Sequence, residues 1–312
     1  MYPKILQFGN FNGISTFQLM IFFGVIAFYL TFRLTCKAEG IGKITRARLF
    51  SVCLFGIAVL GASAFFFNSL FHTIENKKLT IGGITWLGGV VVAFPVTILL
   101  IHKLVPKAKG RALYYFSLLI PGIVIGHAFG RMGCFLGGCC YGGVTDSIFG
   151  VSFPEGSSAA HVYPAVSGRS LKVLPTQLFE CVFELVLFTV MMISRKKTKG
   201  YNIEIYAVSY GIFRFLIEFL RGDNRGGTGI GVTPSQLLSI LLIISVIFLI
   251  LFRKGYIFKG LNEKCKVWQV EADALDEFDG VYEIRRLHSL YKKGIITEEE
   301  YNEKKKEMLK KL

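Results

Sequence analysis

The sequence predicts an all-α, polytopic membrane protein with seven transmembrane helices and a small soluble helical hairpin. Three observations carry that prediction. The 312-residue chain is 52% hydrophobic with a mean hydropathy of +0.51, more apolar than the usual soluble domain. Apolar runs of about 20 residues, enough to cross a hydrocarbon core, recur near 17–32, 49–71, 82–101, 112–131, 175–194, 202–220 and 234–252. Basic residues concentrate in every second connection between those runs.

The elements follow in order. The run at 17–32 is followed by Lys37, Lys43, Arg46 and Arg48, which lead into the second span. The third span is followed by Lys103, Lys107, Lys109 and Arg111. The fifth is followed by Arg195, Lys196, Lys197 and Lys199, and the seventh by Arg253, Lys254 and Lys259. The opposite loops hold only scattered cations, such as Lys77, Lys78, Arg169 and Lys172. By the positive-inside rule this places the N-terminus outside and the C-terminus in the cytoplasm. The net charge of +15 therefore reads as topology signal and headgroup contact, not as a nucleic-acid surface. The first apolar run starts late and its charges follow it, so no cleavable signal peptide is expected. The longest outer loop, about 143–174, contains His161 and is long enough for a lid or a docking surface.

Residues 1–260 are thus predicted as the membrane domain, 261–275 as a linker and 276–312 as a C-terminal hairpin. In the hairpin Ile284, Leu287 and Leu290 stand at helical spacing, and Gly294 suits a helix stop. Thr297 with Glu300 forms a capping box for a second helix carrying Tyr301, Met308 and Leu309. This tail resembles the short C-terminal (SHOCT) domain, which implies oligomerisation or contact with a partner. A solvated hairpin with no partner is the alternative.

Ionisable residues interrupt three of the spans. Tyr210, Arg214 and Glu218 recur every four residues on one face of the sixth, and Arg221 is expected a turn further along nearly the same face. His127 and Arg131 end the fourth span, and Glu180 and Glu184 open the fifth. With the topology above, all of these reach one depth, toward the outer leaflet. Such groups either pair across helices, as Arg214 with Glu218 or Arg131 with Glu184, or mark function. The arginine fork suits a phosphate or carboxylate, so an anionic phospholipid headgroup is the expected ligand. Gly130, Gly133, Gly137, Gly138, Gly142 and Gly143 either let backbone amides approach that anion or let helices pack closely.

Seven cysteines, at 36, 53, 134, 139, 140, 181 and 265, form no CxxC pair. Cys134, Cys139 and Cys140 read first as structural packers. They read second as redox-active or acyl-accepting thiols, activated by the nearby arginine. Third, they read with His127 as ligands of a soft metal. The reading assigns no cofactor and no metal.

At these residues the chain resembles the prolipoprotein diacylglyceryl transferase family. The family signature GR-x-GNF-x-NGE-x-YG appears as Gly130-Arg131-Met132-Gly133-Cys134-Phe135-Leu136-Gly137-Gly138-Cys139-Cys140-Tyr141-Gly142. Leu174-Pro175-Thr176-Gln177-Leu178-Phe179-Glu180 is similar to the family's HPsQLYE segment. Tyr210, Arg214 and Glu218 match its Y-x-x-x-R-x-x-x-E helix, and 233–239 matches the opening of its last span. The resemblance covers roughly 10–255. It implies a bacterial cytoplasmic-membrane enzyme whose active site faces the outer leaflet. Such an enzyme moves the diacylglyceryl group of phosphatidylglycerol onto the lipobox cysteine of a prolipoprotein and releases glycerol phosphate.

On that resemblance Arg131 and Arg214 neutralise the phosphate, and Glu218 orients an arginine or serves the acceptor. Tyr210, Gly130, Gly133, Arg221, Glu180 and Gln177 bind substrate. Five positions depart from the family pattern. Leu87 occupies the place of a family His, and Phe17 that of a Tyr. Cys134, Gly137 and Cys139 replace Asn, Asn and Glu. His127, one turn before Arg131, becomes the candidate substitute base. A related headgroup transferase with another acceptor is the second reading, and a non-catalytic anionic-lipid binder or transporter subunit the third. A transporter would show internal repeats and polar groups at the midplane, and the sequence has neither.

Overall fold

The computed structural model describes residues 4–5, 14–76, 78–79, 81, 86–108, 111–165, 170–198, 200–222, 232–258, 260 and 280–309. The predicted linker 261–275, the start of the third span at 82–85, Lys77, Lys109, Arg169, Lys199, Lys259 and Cys265 lie outside the described residues. Apart from a two-stranded ribbon, β1 (Lys4–Ile5) against β2 (Ile14–Ser15), and a few isolated bridges, the described residues are helical or turns.

Among the described residues, five helices are long and apolar enough to cross a membrane: Thr16–Ala38, Lys43–Phe67, Ala112–Gly137, Thr176–Ser194 and Ser235–Arg253. The expected third and sixth spans fall on shorter apolar stretches. The third is described as apolar helix over Val92–Leu104, within α3 (Trp86–Leu104). The sixth, α8 (Asn202–Ile217), has 16 residues and tightens into a 3-10 turn at Glu218–Leu220.

The chain divides into two compact units, Met1–Phe32 with Phe116–Lys264, and Arg33–Tyr115 with Cys265–Leu312. In the first unit, α5 (Ile120–Gly137) packs along α7 (Thr176–Ser194), and α8 packs along α9 (Pro234–Arg253). α8 also touches both α5 and α7, so three charge-bearing helices meet.

Sequence accounts for where these helices begin and end. Pro121 sits in the first turn of α5, where its missing N–H costs nothing. Gly138 ends that helix at φ +68°, a left-handed conformation glycine adopts without penalty. α9 opens with a capping box: the Thr233 Oγ1 accepts from the Gln236 amide at 3.2 Å, and the Gln236 Oε1 accepts from the Thr233 amide at 3.0 Å.

Burial separates central from peripheral helices. The Ala112–Gly137 segment has 61% of its window buried, and Ser235–Arg253 only 18%. The exposed positions of α1 (Thr16–Ala38), α7 and α9 are large and apolar, for example Phe22, Leu34, Ile193 and Ile247. That pattern belongs to a protein whose outer solvent is hydrocarbon.

The loop expected as a lid has a core of its own. Tyr141, Phe153, Ala159 and Val173 are buried together, with Phe135 and Tyr163 packed against them. Short bridges join Val144 and Val151 to Val173, and the five-residue α6 (Ser158–Val162) is capped by Ser157.

In the second unit, α2 (Lys43–Asn76) packs along α3. In the tail, α10 (Gly280–Lys292) turns at Gly294, φ +65°, into α11 (Glu298–Leu309). The Thr297–Glu300 capping box forms, with bonds of 3.0 and 3.2 Å. Tyr291 stacks on Tyr301 at 5.2 Å.

Candidate active site at the ends of three helices

α5 carries His127 and Arg131 one turn apart, so both project from one face. The Arg131 Nη2 lies 2.8 Å from the Glu180 Oε1 of α7. Its Nε donates to the His127 Nε2 at 3.2 Å. A guanidinium N–H can only donate, so that ring nitrogen is the acceptor and the imidazole proton sits on Nδ1. Nδ1 faces the Glu184 Oε1 at 2.8 Å and the Tyr206 hydroxyl at 3.0 Å. Arg131 therefore pairs with Glu180, while His127 takes Glu184; the sequence suggested Arg131 with Glu184.

α8 supplies the opposite wall. The Tyr210 hydroxyl donates to the Glu180 Oε1 at 3.0 Å, so one carboxylate oxygen joins Arg131 to Tyr210. Tyr206 stacks on Tyr210 at 5.6 Å, and His127 meets Tyr210 edge-on at 5.2 Å. The expected Arg214–Glu218 pair is present at 2.8 Å, and the Arg214 Nη2 donates to the Ser235 hydroxyl at 2.9 Å. The second terminal nitrogen, Nη1, is buried with no hydrogen-bond partner among the described residues. Glu180 and Glu184 are fully buried, and each has an Oε2 without a hydrogen-bond partner among the described residues. Buried polar atoms are nearly always satisfied, so unpaired ones in a cluster mark a place that a ligand completes.

Arg221 corrects the helical expectation. The helix ends before it, and Arg221 has extended backbone, φ −79° and ψ 141°, pairing with Gly142. The cause is local. Gly142 and Gly143 donate to the Leu174 and Leu220 carbonyls at 2.8 and 2.9 Å, and the Gly222 amide donates to the Tyr141 carbonyl. This drags the chain into a strap. A Cβ on Gly142 would meet the Leu220 oxygen at 2.6 Å and Leu174 Cβ at 2.8 Å, so only glycine fits. Arg221 still approaches Glu218, Nε to Oε2 at 3.9 Å.

The signature glycines divide. Gly133 faces α1, where a Cβ would lie 3.0 Å from Phe17 and 3.2 Å from Met20, whereas Gly130 faces open space. Gln177, fully buried, donates to the Cys139 carbonyl at 2.7 Å, and Thr176 to the Cys140 carbonyl at 2.9 Å. These bonds tie the turn after α5 to the first turn of α7. The Cys139 thiol is not activated. A hydrogen bond with Cys134 lowers its pKa, but a bond with Cys140 and burial outweigh both that effect and the pull of Arg131, leaving it above the ordinary thiol range. Leu87 lies in α3, and its side chain is outside the described residues.

Sequence reasoning missed Tyr206 and Ser235. Tyr206 had a signal, being one turn before Tyr210 on the same face. Ser235 stood in the matched 233–239 segment, but nothing in its spacing singled it out.

A family model for prolipoprotein diacylglyceryl transferase matches residues 3–252. The chain belongs to that family. A model for the short C-terminal domain matches residues 283–309, the tail hairpin. The phosphatidylglycerol–prolipoprotein diacylglyceryl transferase 2 of Clostridium perfringens (strain 13 / Type A) is 39% identical over 145 residues, 46% of this chain and 53% of that protein. That match spans about half the length of the relative. The phosphatidylglycerol–prolipoprotein diacylglyceryl transferases of Clostridium tetani and Streptococcus uberis align more fully. The first is 29% identical over 236 residues, 73% of this chain and 89% of that protein. The second is 29% identical over 265 residues, 81% of this chain and 95% of that protein. All the matched proteins named here are bacterial transferases by their names.

Proposed function

We propose that this protein transfers the diacylglyceryl group of phosphatidylglycerol to the thiol of a prolipoprotein lipobox cysteine. The acceptor sulfur attacks the glyceryl carbon, and the carbon–oxygen bond to phosphate breaks. The electron pair leaves on the phosphate, and glycerol phosphate departs. The buried, unpartnered Nη1 of Arg214 beside Ser235 carries this reading: it is a fixed donor awaiting an anionic oxygen. Arg131, held by Glu180, stands as the second cation for the charge that develops on the leaving phosphate. Tyr210 fixes Glu180, Glu218 fixes Arg214, and Gln177 fixes the backbone after α5. Gly130, which faces open space, and Arg221 line the approach of the substrate, whereas Gly133 serves it by letting α1 pack against α5.

The finer placement belongs to the same proposal. Seven spans, with α3 and α8 as the third and sixth, would set the N-terminus outside the bacterial cytoplasmic membrane and this site at its outer leaflet. The alternating basic loops support that topology. The hairpin at 276–312, beyond a linker at 261–275, would then be cytoplasmic and available for self-association or a partner.

His127 is assigned here as a positioning residue. Its Nε2 lone pair is engaged by Arg131 and must be released before it can take a proton. The test uses purified protein in phosphatidylglycerol bilayers, with headgroup- and acyl-labelled lipid and a lipobox peptide. Thioether formation, lost in Arg131→Ala and Arg214→Ala, supports the proposal. Headgroup release without peptide labelling would instead mean a different acceptor, and lipid binding without turnover a non-catalytic binder. For His127→Ala, a raised KM for lipid with kcat nearly kept fits positioning. Loss of kcat together with the basic limb of the pH profile would restore the base assignment.

A further inference from the structure

Three thiols converge just beyond the phosphate-facing arginine. Cys134 sits in the last turn of α5, Cys139 and Cys140 lie in the turn after it, and their three Sγ atoms are within 4.8 Å of one another. The convergence is built. The turn takes left-handed backbone at Gly138, φ +68°, and again at Cys140, φ +64°. The second is a conformation a residue with a Cβ adopts only at a cost of about 1–2 kcal/mol. The turn is then pinned on both sides. The Cys139 amide donates to the Cys134 carbonyl at 3.1 Å, Gln177 donates to the Cys139 carbonyl, and Thr176 donates to the Cys140 carbonyl. The fully buried Gln177 keeps its Oε1 without a hydrogen-bond partner among the described residues. A disulfide would use two of these thiols and strand the third, whereas one ion uses all three.

From this geometry we infer that Cys134, Cys139 and Cys140 bind one zinc-type ion, leaving its fourth coordination position open to the thiol of the acceptor peptide. Zinc holds sulfur at about 2.3 Å, so tetrahedral ligand sulfurs stand about 3.8 Å apart. The three sulfurs, within 4.8 Å of one another, stand no more than about 1 Å wider than that spacing. Three protein ligands with a fourth position open is the coordination of catalytic zinc, whereas structural sites close all four. Three thiolates around a dication carry a net charge of −1. Arg131, one turn before Cys134, is in electrostatic contact with Cys134, Cys139 and Cys140.

The role of the open position rests on the transferase reading. An acceptor thiol that enters it loses its proton to solvent as the sulfur–metal bond forms, because a coordinated thiol is deprotonated outright. The sulfur pair then forms the bond to the glyceryl carbon while the carbon–oxygen bond breaks and its pair leaves on the phosphate. The ion stays on its three cysteines. No separate base is required, which agrees with a His127 whose lone pair is occupied.

The test uses the full chain, stripped with chelator under a non-thiol reductant and titrated with Co²⁺. The expected result is sulfur-to-cobalt charge-transfer absorption that saturates at one ion per chain and is displaced by Zn²⁺. Binding should weaken at least tenfold in Cys134→Ser, Cys139→Ser and Cys140→Ser. It should be unchanged in Cys36→Ser and Cys53→Ser, and retained phosphatidylglycerol binding shows that each variant is folded. Absorption that is absent, or is unchanged in Cys134→Ser, overturns the site. So does a disulfide between two of the three thiols in protein purified under reductant. A lipobox cysteine peptide should shift the cobalt d–d bands and its serine analogue should not. If the peptide shifts nothing and stripped protein transfers at full rate, the acceptor role fails while the transferase reading stands. If ion binding holds but no form of the protein transfers, the transferase reading fails and the three-cysteine site stands.

Discussion

Glu180 is the carboxylate on which the site closes, and Glu180→Gln is the sharpest perturbation of it. One of its oxygens lies 2.8 Å from Arg131 and 3.0 Å from the Tyr210 hydroxyl, with no solvent exposure. At 2.8 Å and an effective dielectric constant of about 20, the charge pair attracts by about 6 kcal/mol. Desolvation of both ions consumes most of that, but removing one partner strands the other, at about 3–5 kcal/mol. Glutamine keeps an acceptor for Tyr210, so the loss should fall at the low end, about 3 kcal/mol, or roughly a 100-fold shift in the folded-to-unfolded ratio. Adding Arg131→Met removes the stranded charge. The double variant should then recover to within about 1–2 kcal/mol of the parent, the remainder being the His127 nitrogen that has lost its donor. Reversible denaturant unfolding in lipid discs measures both. The double variant should be more stable than the single yet inactive. Additive losses would refute the claim that Glu180 is there to compensate Arg131.

Three further outcomes follow from the same geometry. Tyr210→Phe removes one donor from a buried carboxylate, so stability should fall by about 1.5–3 kcal/mol in the same unfolding assay, with KM for lipid rising more than kcat falls. Arg253→Ala breaks a buried 3.0 Å pair with Glu204 and a cation–π contact with Tyr201 at the far ends of α8 and α9. Thermal unfolding should show a loss of about 3 kcal/mol or more, while transfer per folded molecule stays unchanged. Gly142→Ala drives a Cβ into the Leu220 carbonyl and Leu174. Radiolabel transfer should drop at least tenfold, and amide exchange at Gly143 and Leu174 should accelerate as the strap opens.

The charged face was legible because membrane helices make it so. A glutamate or arginine inside an apolar run is costly, so Glu180, Arg214 and Glu218 announced themselves, and a four-residue repeat placed Tyr210, Arg214 and Glu218 on one side. Five of the spans were legible on length and apolarity. The partners were less so. Glu180 and Glu184 are one turn apart on α7, and which of them meets Arg131 depends on the rotation of α7 against α5, which no periodicity encodes. Arg221 misled for a different reason. Counting by 3.6 presumes that the helix continues, and the glycine strap at Gly142, Gly143 and Gly222 stops it. The thiol cluster was legible as composition and not as a site, because the left-handed turn at Gly138 and Cys140 is what folds the three sulfurs together.

The two arginines are held differently, and that difference has a consequence for the chemistry. Arg131 is saturated on two sides by Glu180 and His127, so it is rigid before any lipid arrives. Arg214 spends one terminal nitrogen on Glu218 and Ser235 and keeps the other unpartnered. A bound phosphodiester carries one negative charge, which a single open donor can meet. The leaving phosphate monoester carries a second, and that added charge exists only as the carbon–oxygen bond breaks. Donors fixed in advance stabilise such developing charge without reorganising, and only interactions stronger in the transition state than in the ground state raise kcat. On the proposed transferase reading, this division would make Arg214 contribute chiefly to lipid affinity and Arg131 chiefly to turnover. On that proposal the Glu180, Tyr210 and His127 contacts that immobilise Arg131 would be part of the rate enhancement, although none of them need touch the lipid.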